Sequence, residues 1–415
     1  MSIAEPIALY DAKKYGKTPL DRVKTLTDVI RAGGDKAQEL RHVPKETIDA
    51  LIDAGLFRFT LPTEVGGENA SVRETIEVLE AISAIDASVG WNVMLGSEIN
   101  AMAVGGMDPE LAKEVYIDNP RVVMCGGGGP GSAFGRAVAQ SDGSFKVWGQ
   151  STFISGCHNS EWCFMPAPIF DGDQIRLVNG APVVRTWFLH RSQWDIVDTW
   201  NMAGLRGSGS HDVRADGAHV PARFANVQLT EFPARYPNPV YRIPVPLRLA
   251  YNKAAIGTGI ARGALDAFIE LANQKKPLLS ASLMKDKPGV HMMVGENEAK
   301  LRAARAYMFA AMDRVEYELN NGYDLPSAEA TQDARLACVY AADTSRHIVD
   351  EVHTMAGTSA LRMDSPLERK LRDAHGAASH RWVSRPLYGD IGRIFLGDEP
   401  VGEFAGGTAG PVLGG

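Results

Sequence analysis

The spacing of apolar residues changes twice along this chain of 415 residues, and that change limits the folds it can adopt. Apolar residues recur at the helical period up to about residue 118 and again from about residue 245, whereas the stretch between them carries short β-branched and aromatic runs. Four dipeptides that favour hairpin turns punctuate those runs: Asp142-Gly143, Asp171-Gly172, Asn179-Gly180 and Asp216-Gly217. The sequence therefore predicts an α+β protein with a central antiparallel β domain.

We place the domain boundaries where the pattern changes. The prediction is a helical domain over residues 1–118, a β domain over 119–235, a four-helix bundle over 236–396 and a glycine-rich tail over 397–415. From about residue 245, apolar residues at helical spacing predict three long helices, each with one apolar face, and these are three of the four bundle helices. The fourth helix begins at a capping box formed by Ser365, Pro366 and Glu368.

One face of this fourth helix is unusual. Asp373, Gly376, Ala377 and His380 follow one another at helical spacing, so two very small residues leave space beside an imidazole. Either a ligand ring approaches His380 there, or a neighbouring helix packs tightly on the small-residue face while His380 lies in the core. Asp373 is predicted to pair with an arginine, and His375 is predicted to lie on the side that packs the bundle.

Composition excludes several classes of function. The net charge of -7 and the lack of any Lys/Arg-rich run argue against nucleic acid as a partner. No run of 18 apolar residues occurs, and the N-terminus lacks a basic region followed by an apolar one, so neither membrane insertion nor export is expected. The cysteines are predicted to be free thiols in a reducing cytoplasm; they are Cys125, Cys157, Cys163 and Cys338.

Two glycine-rich stretches are candidates for ligand contact. Residues 126–131 formally contain a dinucleotide fingerprint, but no βαβ unit surrounds it, so we reject a Rossmann site. A flat loop for a planar ring and a flexible turn both remain open there. The loop 205–210 offers one guanidinium and two hydroxyls that suit a phosphate, although a polar hairpin loop is equally consistent with it.

Metal and hydrolase chemistry are disfavoured. His158 lies near Cys157 and Cys163, yet no second Cys/His pair at ligand spacing completes a zinc site. A triad of Ser155, His380 and Asp373 has the required residue types. However, no Gly-x-Ser-x-Gly elbow surrounds the serine.

Four motifs, in this order along nearly the whole chain, resemble the acyl-CoA dehydrogenase superfamily. They are Trp-x-x-x-x-Phe-Ile-Ser-Gly-Cys at residues 148–157, Gly-Leu-Arg-Gly-Ser-Gly-Ser at 204–210, Ala-Gly-Thr-Ser-Ala-Leu at 356–361 and Pro-Leu-Glu-Arg-x-Leu-Arg-Asp-Ala at 366–374. The chain looks most similar to the two-component (group D) flavin monooxygenase branch. The resemblance implies an N-terminal helical domain, a central antiparallel β-barrel-like domain and a C-terminal four-helix bundle.

The resemblance also implies an activity. Reduced FMN or FAD, supplied in diffusible form by a separate NAD(P)H:flavin reductase, would bind against the β domain. It would react with dioxygen to give a flavin hydroperoxide that inserts one oxygen atom into an aromatic or heteroaromatic small molecule. The expected assembly is a cytoplasmic homotetramer.

Site residues follow from the same resemblance. Ser155 matches a hydroxyl that bonds to the central-ring nitrogen of the flavin. His380 matches a histidine that acts as a base for a phenolic substrate and as a hydrogen-bond partner for the peroxide; the ordinary pKa of histidine, near 6.5, suits both tasks. The expected cofactor-binding residues are Phe153, Ile154, Ser155, Gly156, Arg206, Ser208, Ser210, Gly357 and Thr358. The expected substrate-binding residues are Trp91, Cys157 and His158.

The chain departs from the family pattern in its acids and bases. The catalytic glutamate of the dehydrogenase branch is replaced by His380 and Arg381, and the alternative position for that base, near Tyr251 and Asn252, has no carboxylate. An acyl-CoA dehydrogenase or oxidase with a relocated base therefore stays an alternative, as does a catalytically silent scaffold.

A histidine that many relatives carry after the family's tryptophan is also missing from residues 91–102. The candidate replacements are Ser97, Glu98 and Asn100.

Overall fold

The computed structural model describes residue 10 and residues 12–128, 133–225 and 236–400. The predicted tail lies outside these residues from position 401 onward, as does part of the glycine-rich stretch 126–131. The described residues form two compact units, the first within 1–70, 91–201 and 206–241 and the second within 71–90, 202–205 and 242–415. The domain boundaries at residues 118, 235 and 396 stay a prediction.

The described helices follow the predicted distribution, before and after a strand-rich middle. They are α1 (Ala12–Tyr15), α2 (Pro19–Thr25), α3 (Thr27–Leu40), α4 (Lys45–Asp53), α5 (Val72–Ile85), α6 (Ala87–Gly106), α7 (Pro109–Tyr116), α8 (Ala222–Ala225), α9 (Val245–Gln274), α10 (Pro288–Asn320), α11 (Ala328–Ala356), α12 (Pro366–Ala378) and α13 (Leu387–Phe395). None of the helices in the described ranges combines the length and the apolar character needed to cross a bilayer.

The strands belong to the first unit. They are β1 (Met124–Gly126), β2 (Ala133–Ala139), β3 (Phe145–Ile154), β4 (Trp162–Asp171), β5 (Gln174–Ile175), β6 (Leu177–Val178), β7 (Ala181–Pro182), β8 (Val184–His190), β9 (Asp195–Val197) and β10 (His211–Val220). The main sheet has the order β1-β4-β2-β3-β10-β9. The sheet is mixed and not wholly antiparallel as predicted, because β4 inserts between β1 and β2 and runs parallel to both.

Three of the four predicted hairpin turns lie between strands, and the fourth does not. Asp142-Gly143 joins β2 to β3, Asp171-Gly172 joins β4 to β5, and Asn179-Gly180 joins β6 to β7. Asp216-Gly217 lies inside β10, where the register with β3 shifts between residues 215 and 218. Gly217, with φ of +71°, provides the left-handed conformation of this β-bulge, and the hairpin prediction there is wrong.

The second unit is built around α9. Helices α5 and α11 both pack against it, so a helix from the N-terminal part of the chain joins the four that were predicted. Gly259 and Gly263 permit the close approach of α5. A methyl group on Gly259 would lie 2.5 Å from the Glu80 carbonyl oxygen, and one on Gly263 would lie 2.1 Å from that of Ala84.

Helix α12 begins where the sequence placed it, but without the complete capping box. Ser365 is the N-cap, its hydroxyl accepts from the Leu367 amide at 3.3 Å, and Pro366 opens the helix. The Glu368 side chain does not accept a hydrogen bond from the backbone N–H of the N-cap residue, Ser365. It forms a two-fold hydrogen-bonded ion pair with Arg372, with both distances 2.7 Å, because a residue four positions on lies on the same helix face.

The small-residue face of α12 is covered by the backbone of residues 202–205. A methyl group on Gly204 would lie 2.1 Å from the Arg372 carbonyl oxygen, and one on Gly376 would lie 3.4 Å from Gly204. The Asp373 carboxylate accepts a 2.6 Å hydrogen bond from the Leu205 amide. Tight packing therefore explains this face, but the packing element is a loop and not the predicted helix. The Asp373 carboxylate bonds to a backbone amide where an ion pair with an arginine was predicted.

This packing predicts unequal effects of two similar substitutions. Gly204→Ala would force its methyl group into a backbone carbonyl, so we expect a loss of about 1 to 3 kcal/mol in unfolding free energy. Gly376→Ala should stay within about 1 kcal/mol of the parent, since alanine favours a helix interior and the new contact is less severe. Urea unfolding of both variants tests this. Equal losses would show that the 202–205 segment does not depend on a close approach at Gly204.

Candidate functional site

A sharp turn at the end of β3 presents Ser155. Phe153 has φ of +59° and Gly156 has φ of +74°, so two left-handed residues flank the serine. The Ser155 amide donates to the Phe153 carbonyl at 3.0 Å, and the Gly156 amide donates to the Ser208 carbonyl at 3.1 Å. The turn is thereby fixed both locally and to the loop that precedes β10.

Ser155 belongs to a connected set of side chains that we call the hydroxyl chain: Trp91, Ser155, Ser210 and Ser208. The Trp91 indole N–H donates to Ser155 Oγ at 3.0 Å. Ser155 Oγ and Ser210 Oγ are 2.6 Å apart, as are Ser210 Oγ and Ser208 Oγ. All four side chains are buried, with Ser155 exposed by 6% and Ser208 by 1%. Such short, shielded contacts indicate a continuous run of hydrogen bonds.

The hydroxyl chain brings together residues for which different contacts are predicted. Ser155 is predicted to contact a ring nitrogen, and Ser208 and Ser210 are predicted to contact the phosphate of the same cofactor or the ribityl chain beside it. Ser210 Oγ lies 2.6 Å from Ser155 Oγ, so these two hydroxyls are direct neighbours. The cofactor contacts of the three serines stay predictions.

Arg206 is engaged within the first unit. Its Nε donates to the Gln38 carbonyl at 2.9 Å, and Nη1 donates to Asn201 Oδ1 at 3.1 Å. These bonds tie the loop before β10 to helix α3. A phosphate contact of Arg206 stays a prediction.

The other residues predicted to bind the cofactor differ in exposure. The Phe153 ring is 47% exposed and meets the Trp200 ring edge-on at 5.8 Å, whereas the Ile154 side chain is fully buried. Gly357 and Thr358 are exposed residues of the second unit, directly after α11. The structure does not place these two in the first unit with the hydroxyl chain, and their cofactor role stays a prediction.

Cys157 is buried beneath the loop that carries the two serines. Its thiol donates to the Gly209 carbonyl at 3.4 Å, and burial raises the pKa of the thiol above its ordinary value. A protonated, enclosed thiol supports packing of the loop more directly than it supports contact with a substrate.

His158 lies in a histidine cluster that the sequence did not reveal. Its ring stacks on His42 with centroids 4.1 Å apart and meets His211 edge-on at 4.9 Å. The backbone N–H of Trp200 donates to His211 Nδ1 at 3.2 Å. Burial, followed by the neighbouring His42 and His211 rings, lowers the pKa of His158 to about 4. The three imidazoles come from distant parts of the chain, so no local motif signals them.

The histidine cluster does not resemble a metal centre. Within the described ranges, no group of three or more His, Cys, Asp or Glu side chains has an arrangement that could hold a metal ion. The acidic neighbour of the cluster, Asp198, is paired with Arg41 at 2.7 Å.

The lowered pKa of His158 predicts a dependence of stability on pH. Unfolding restores its ordinary pKa of 6.5, so the unfolded chain binds more protons between that value and about 4. The stabilisation is complete above pH 6.5 and is lost as pH falls toward 4. His158→Phe keeps a stacked ring that cannot be protonated, and its thermal midpoint should fall less than that of the parent between about pH 7 and pH 5.

The exposed His219 offers a matched control for this experiment. His219→Phe should follow the parent curve. Identical pH profiles for the parent and His158→Phe would contradict the assignment.

His380 lies beyond the helix on which it was predicted. Helix α12 ends at Ala378, and the next residues form tight turns in which the His380 amide donates to the Ala377 carbonyl at 3.2 Å. The Val383 amide then donates to the His380 carbonyl at 2.9 Å. His380 therefore does not continue the helical face of Asp373, and that prediction is wrong.

The electrostatic environment of His380 also differs from the expected one. Burial, then the positive charges of Lys253 and Arg381, lower the pKa of His380 to about 3. The imidazole is therefore neutral near pH 7. His375 is 52% exposed and pairs at 2.8 Å with Asp350 of α11, so it lies on the side of α12 that faces a neighbouring bundle helix, as predicted.

Two of the three candidate replacements for the missing histidine have structural roles. Ser97 Oγ donates to the Leu56 carbonyl at 3.2 Å, and Asn100 Nδ2 donates to the Phe57 carbonyl at 3.1 Å. Both therefore fasten α6 to the segment after α4. Glu98 is buried, with 5% exposure.

Comparison with known families gives two matches. The family model for the acyl-CoA dehydrogenase N-terminal domain matches residues 24–115, and the model for the acyl-CoA dehydrogenase C-terminal domain matches residues 251–385. Together these ranges include more than half of the chain.

The curated relatives are oxygenases of modest identity. Indole-3-acetate monooxygenase of Pseudomonas putida is 28% identical over 364 residues, which cover 87% of this chain and 89% of that protein. The oxygenase component of FADH(2)-dependent resorcinol hydroxylase from Rhizobium sp. is 26% identical over 400 residues, which cover 92% of this chain and 95% of that protein.

Solved structures agree in fold. The HsaA monooxygenase from Mycobacterium tuberculosis superposes with a TM-score of 0.80 at 24% identity, covering 95% of this chain and 100% of that one. XiaF from Streptomyces sp., in complex with FADH2 and glycerol, superposes with a TM-score of 0.82 at 21% identity, covering 92% of this chain and 96% of that one. The predicted fold class is confirmed.

Proposed function

This chain belongs to the acyl-CoA dehydrogenase superfamily, and from that membership we propose that it is the oxygenase component of a two-component, reduced-flavin-dependent monooxygenase. Its substrate is a small aromatic or heteroaromatic molecule into which one atom of dioxygen is inserted. The curated relatives that support this class act, by their names, on indole-3-acetate and resorcinol. The observation that carries the proposal is the buried hydroxyl chain, whose Ser155 lies on the same turn of the backbone as the half-exposed Phe153.

The chemistry of these side chains fits a flavin. Ser155 presents a hydroxyl that both donates and accepts, which suits a ring nitrogen, and Phe153 offers an aromatic surface to a planar group. Bound reduced FMN or FAD would supply the two electrons that activate dioxygen. Ser155 would then hold the ring nitrogen, and the burial of the hydroxyl chain would keep bulk water away from this contact.

His380 is proposed to contact the substrate as a neutral imidazole. Because its pKa is lowered to about 3, it acts as a hydrogen-bond acceptor for a phenolic hydroxyl more readily than as a strong base. Acyl-CoA dehydrogenation is disfavoured, since the family's positions for a carboxylate base hold His380, Arg381, Tyr251 and Asn252.

The proposed partners are a separate NAD(P)H:flavin reductase and further copies of this chain. The second unit exposes many large apolar side chains, which supports assembly into a homotetramer. They include Leu278 (92% exposed), Leu279 (100%), Met363 (79%), Phe395 (76%) and Leu396 (88%). Buried free thiols such as Cys157 and Cys338 suit the reducing cytoplasm that we propose as the location.

One experiment tests the proposed function. The purified chain is mixed anaerobically with chemically reduced FMN or FAD, and oxygen is then added with a panel of phenols and indoles. A hydroxylated product whose new oxygen derives from labelled dioxygen supports the proposal. Tight copurification of oxidised FAD that acyl-CoA bleaches would instead indicate a dehydrogenase, and failure to bind either flavin would indicate a scaffold.

Ser155→Ala provides a sharper prediction. The change removes a hydrogen bond of about 0.5 to 1.5 kcal/mol from the ring nitrogen, so less product should form per flavin oxidised. It also removes the acceptor of the Trp91 indole N–H, so a loss of about 1 to 3 kcal/mol in unfolding free energy should accompany it while the fold persists. Ser160 is the matched control, since it is a buried serine of the same turn whose hydroxyl donates to the Gly156 carbonyl at 3.0 Å. Ser160→Ala should keep the parental yield. An unchanged yield in Ser155→Ala would contradict the assignment.

The two histidines near the end of α12 form another matched pair. His380→Asn should abolish or strongly slow product formation while flavin binding survives, because the imidazole that contacts substrate is lost. His375→Asn removes only a half-exposed ion pair, so turnover should stay within a few-fold of the parent. Product per flavin in a single turnover measures both. An active His380→Asn beside an inactive His375→Asn would reverse the assignment.

A further inference from the structure

Two consecutive residues of α12, Arg372 and Asp373, hold the backbone of a short segment. The Ala203 carbonyl accepts from the Arg372 guanidinium, and the Leu205 amide donates to Asp373 Oδ1 at 2.6 Å. Between these contacts, a methyl group on Gly204 would lie 2.1 Å from the Arg372 carbonyl oxygen. Each residue of the segment therefore has its own contact with α12.

The last residue of this segment, Leu205, has a backbone conformation that leucine rarely adopts. Its φ is +51°, in the left-handed region where a bulky side chain crowds the backbone. A residue stays in such a conformation only where its surroundings impose it. The hydrogen bond to Asp373 Oδ1 supplies this constraint, because an amide turned in another direction would lose the bond.

The bond needs an acceptor oxygen and not a full negative charge. Burial, followed by the neighbouring Asp86, raises the pKa of Asp373 to about 7, although the Leu205 amide and the positive charges of Arg372 and Lys370 act in the opposite direction. The carboxyl group is therefore partly protonated near pH 7. Both of its forms keep an oxygen that accepts from the amide.

The segment leads directly into the loop that carries two of the serines of the hydroxyl chain. Arg206 follows Leu205, and its carbonyl accepts from the Trp200 indole N–H at 3.0 Å. Ser208 and Ser210 come next in the chain. Because peptide bonds are planar, the φ and ψ angles of Leu205 set the direction in which the backbone continues toward them.

We propose that Asp373 is a positioning residue for the oxygenase reaction, which rests on the proposed function: by holding Leu205 in its left-handed conformation, it sets the direction in which the chain enters residues 206–210. Asp373 acts through the Leu205 amide and is given no contact with flavin or substrate. Without this acceptor, Leu205 leaves its conformation more often. Residues 206–210 then present their hydroxyls to the flavin for a smaller fraction of the time.

Two variants with the same branched side-chain shape test the need for an acceptor. Asp373→Asn keeps a carbonyl oxygen, whereas Asp373→Leu has none. The dissociation constant of reduced flavin is measured anaerobically, with whichever of FMN and FAD the parent binds. It should rise by about five- to twentyfold in Asp373→Leu and stay within about threefold of the parent in Asp373→Asn. Asp373→Ala takes the place of Asp373→Leu if the latter fails to fold.

Hydrogen exchange provides a readout that does not depend on flavin. In flavin-free protein, the amides of residues 206–210 should exchange about tenfold faster in Asp373→Leu, because the loop opens locally more often. The same amides should exchange at the parental rate in Asp373→Asn. Rescue by asparagine at this position separates the supply of an acceptor from the effect of losing a buried charge.

Leu205→Gly tests whether the left-handed conformation is the link. Glycine adopts positive φ at little cost, so it depends less on the bond to Asp373. Asp373→Leu should therefore weaken flavin binding several-fold less in the Leu205→Gly background than in the parent. Comparing the two backgrounds removes the separate effect of the lost leucine side chain. Equal weakening in both backgrounds would contradict a role through the Leu205 conformation.

Glu80→Leu is the matched control for a general loss of stability. It removes a buried carboxylate of the same unit that pairs with Arg305 at 2.7 Å. Its unfolding free energy should fall, while its flavin affinity and its exchange at residues 206–210 stay parental.

The outcomes separate the inference from the proposed function. Equal effects of Asp373→Asn and Asp373→Leu, or parental affinity and exchange in Asp373→Leu, would overturn the inference and leave the proposed function standing. A parent that binds neither flavin would overturn the proposed function, and hydrogen exchange would then still decide whether Asp373 holds the loop.

Discussion

The Trp91 indole N–H can donate a hydrogen bond but cannot accept one, and this restricts the hydrogen bonds that the neighbouring serines can form. Its hydrogen bond to Ser155 Oγ fixes one lone pair, which leaves the serine one donor and one acceptor for everything else. Ser210 and Ser208 continue the run of hydroxyls from Ser155 at spacings of 2.6 Å. Burial makes these contacts important, because an unmade hydrogen bond is expensive where water cannot enter.

The second unit depends on a different constraint, the close approach of backbone to backbone. Gly259 and Gly263 bring α5 against α9, and Gly204 brings residues 202–205 against α12. At each of these glycines a methyl group would meet a carbonyl oxygen at 2.1 to 2.5 Å. The Asp373 carboxylate then satisfies the Leu205 amide, which the packing has buried.

Each unit contains a histidine whose pKa is lowered by its surroundings. Burial and nearby positive groups lower the pKa of His380 to about 3, and burial with two other imidazoles lowers that of His158 to about 4. Neither ring is charged near pH 7. His380 is therefore suited to hydrogen bonding with a phenolic group, which agrees with an oxygenase that needs no carboxylate for proton abstraction.

The sequence by itself determined the order of elements and the family. The helical period, three of the Asp-Gly and Asn-Gly turns and the Ser365 cap are local signals, because each depends on residues within a few positions of one another. The same local patterns gave two wrong predictions. Asp216-Gly217 was predicted as a hairpin turn but lies within β10, which continues to pair with β3, and α12 was predicted to include His380 but ends at Ala378. Tertiary structure decided the contacts between distant residues: Ser155 with Trp91 and Ser210, His158 with His42, and Gly204 with α12. No local period records these pairs, because they depend on which surfaces meet when the chain folds.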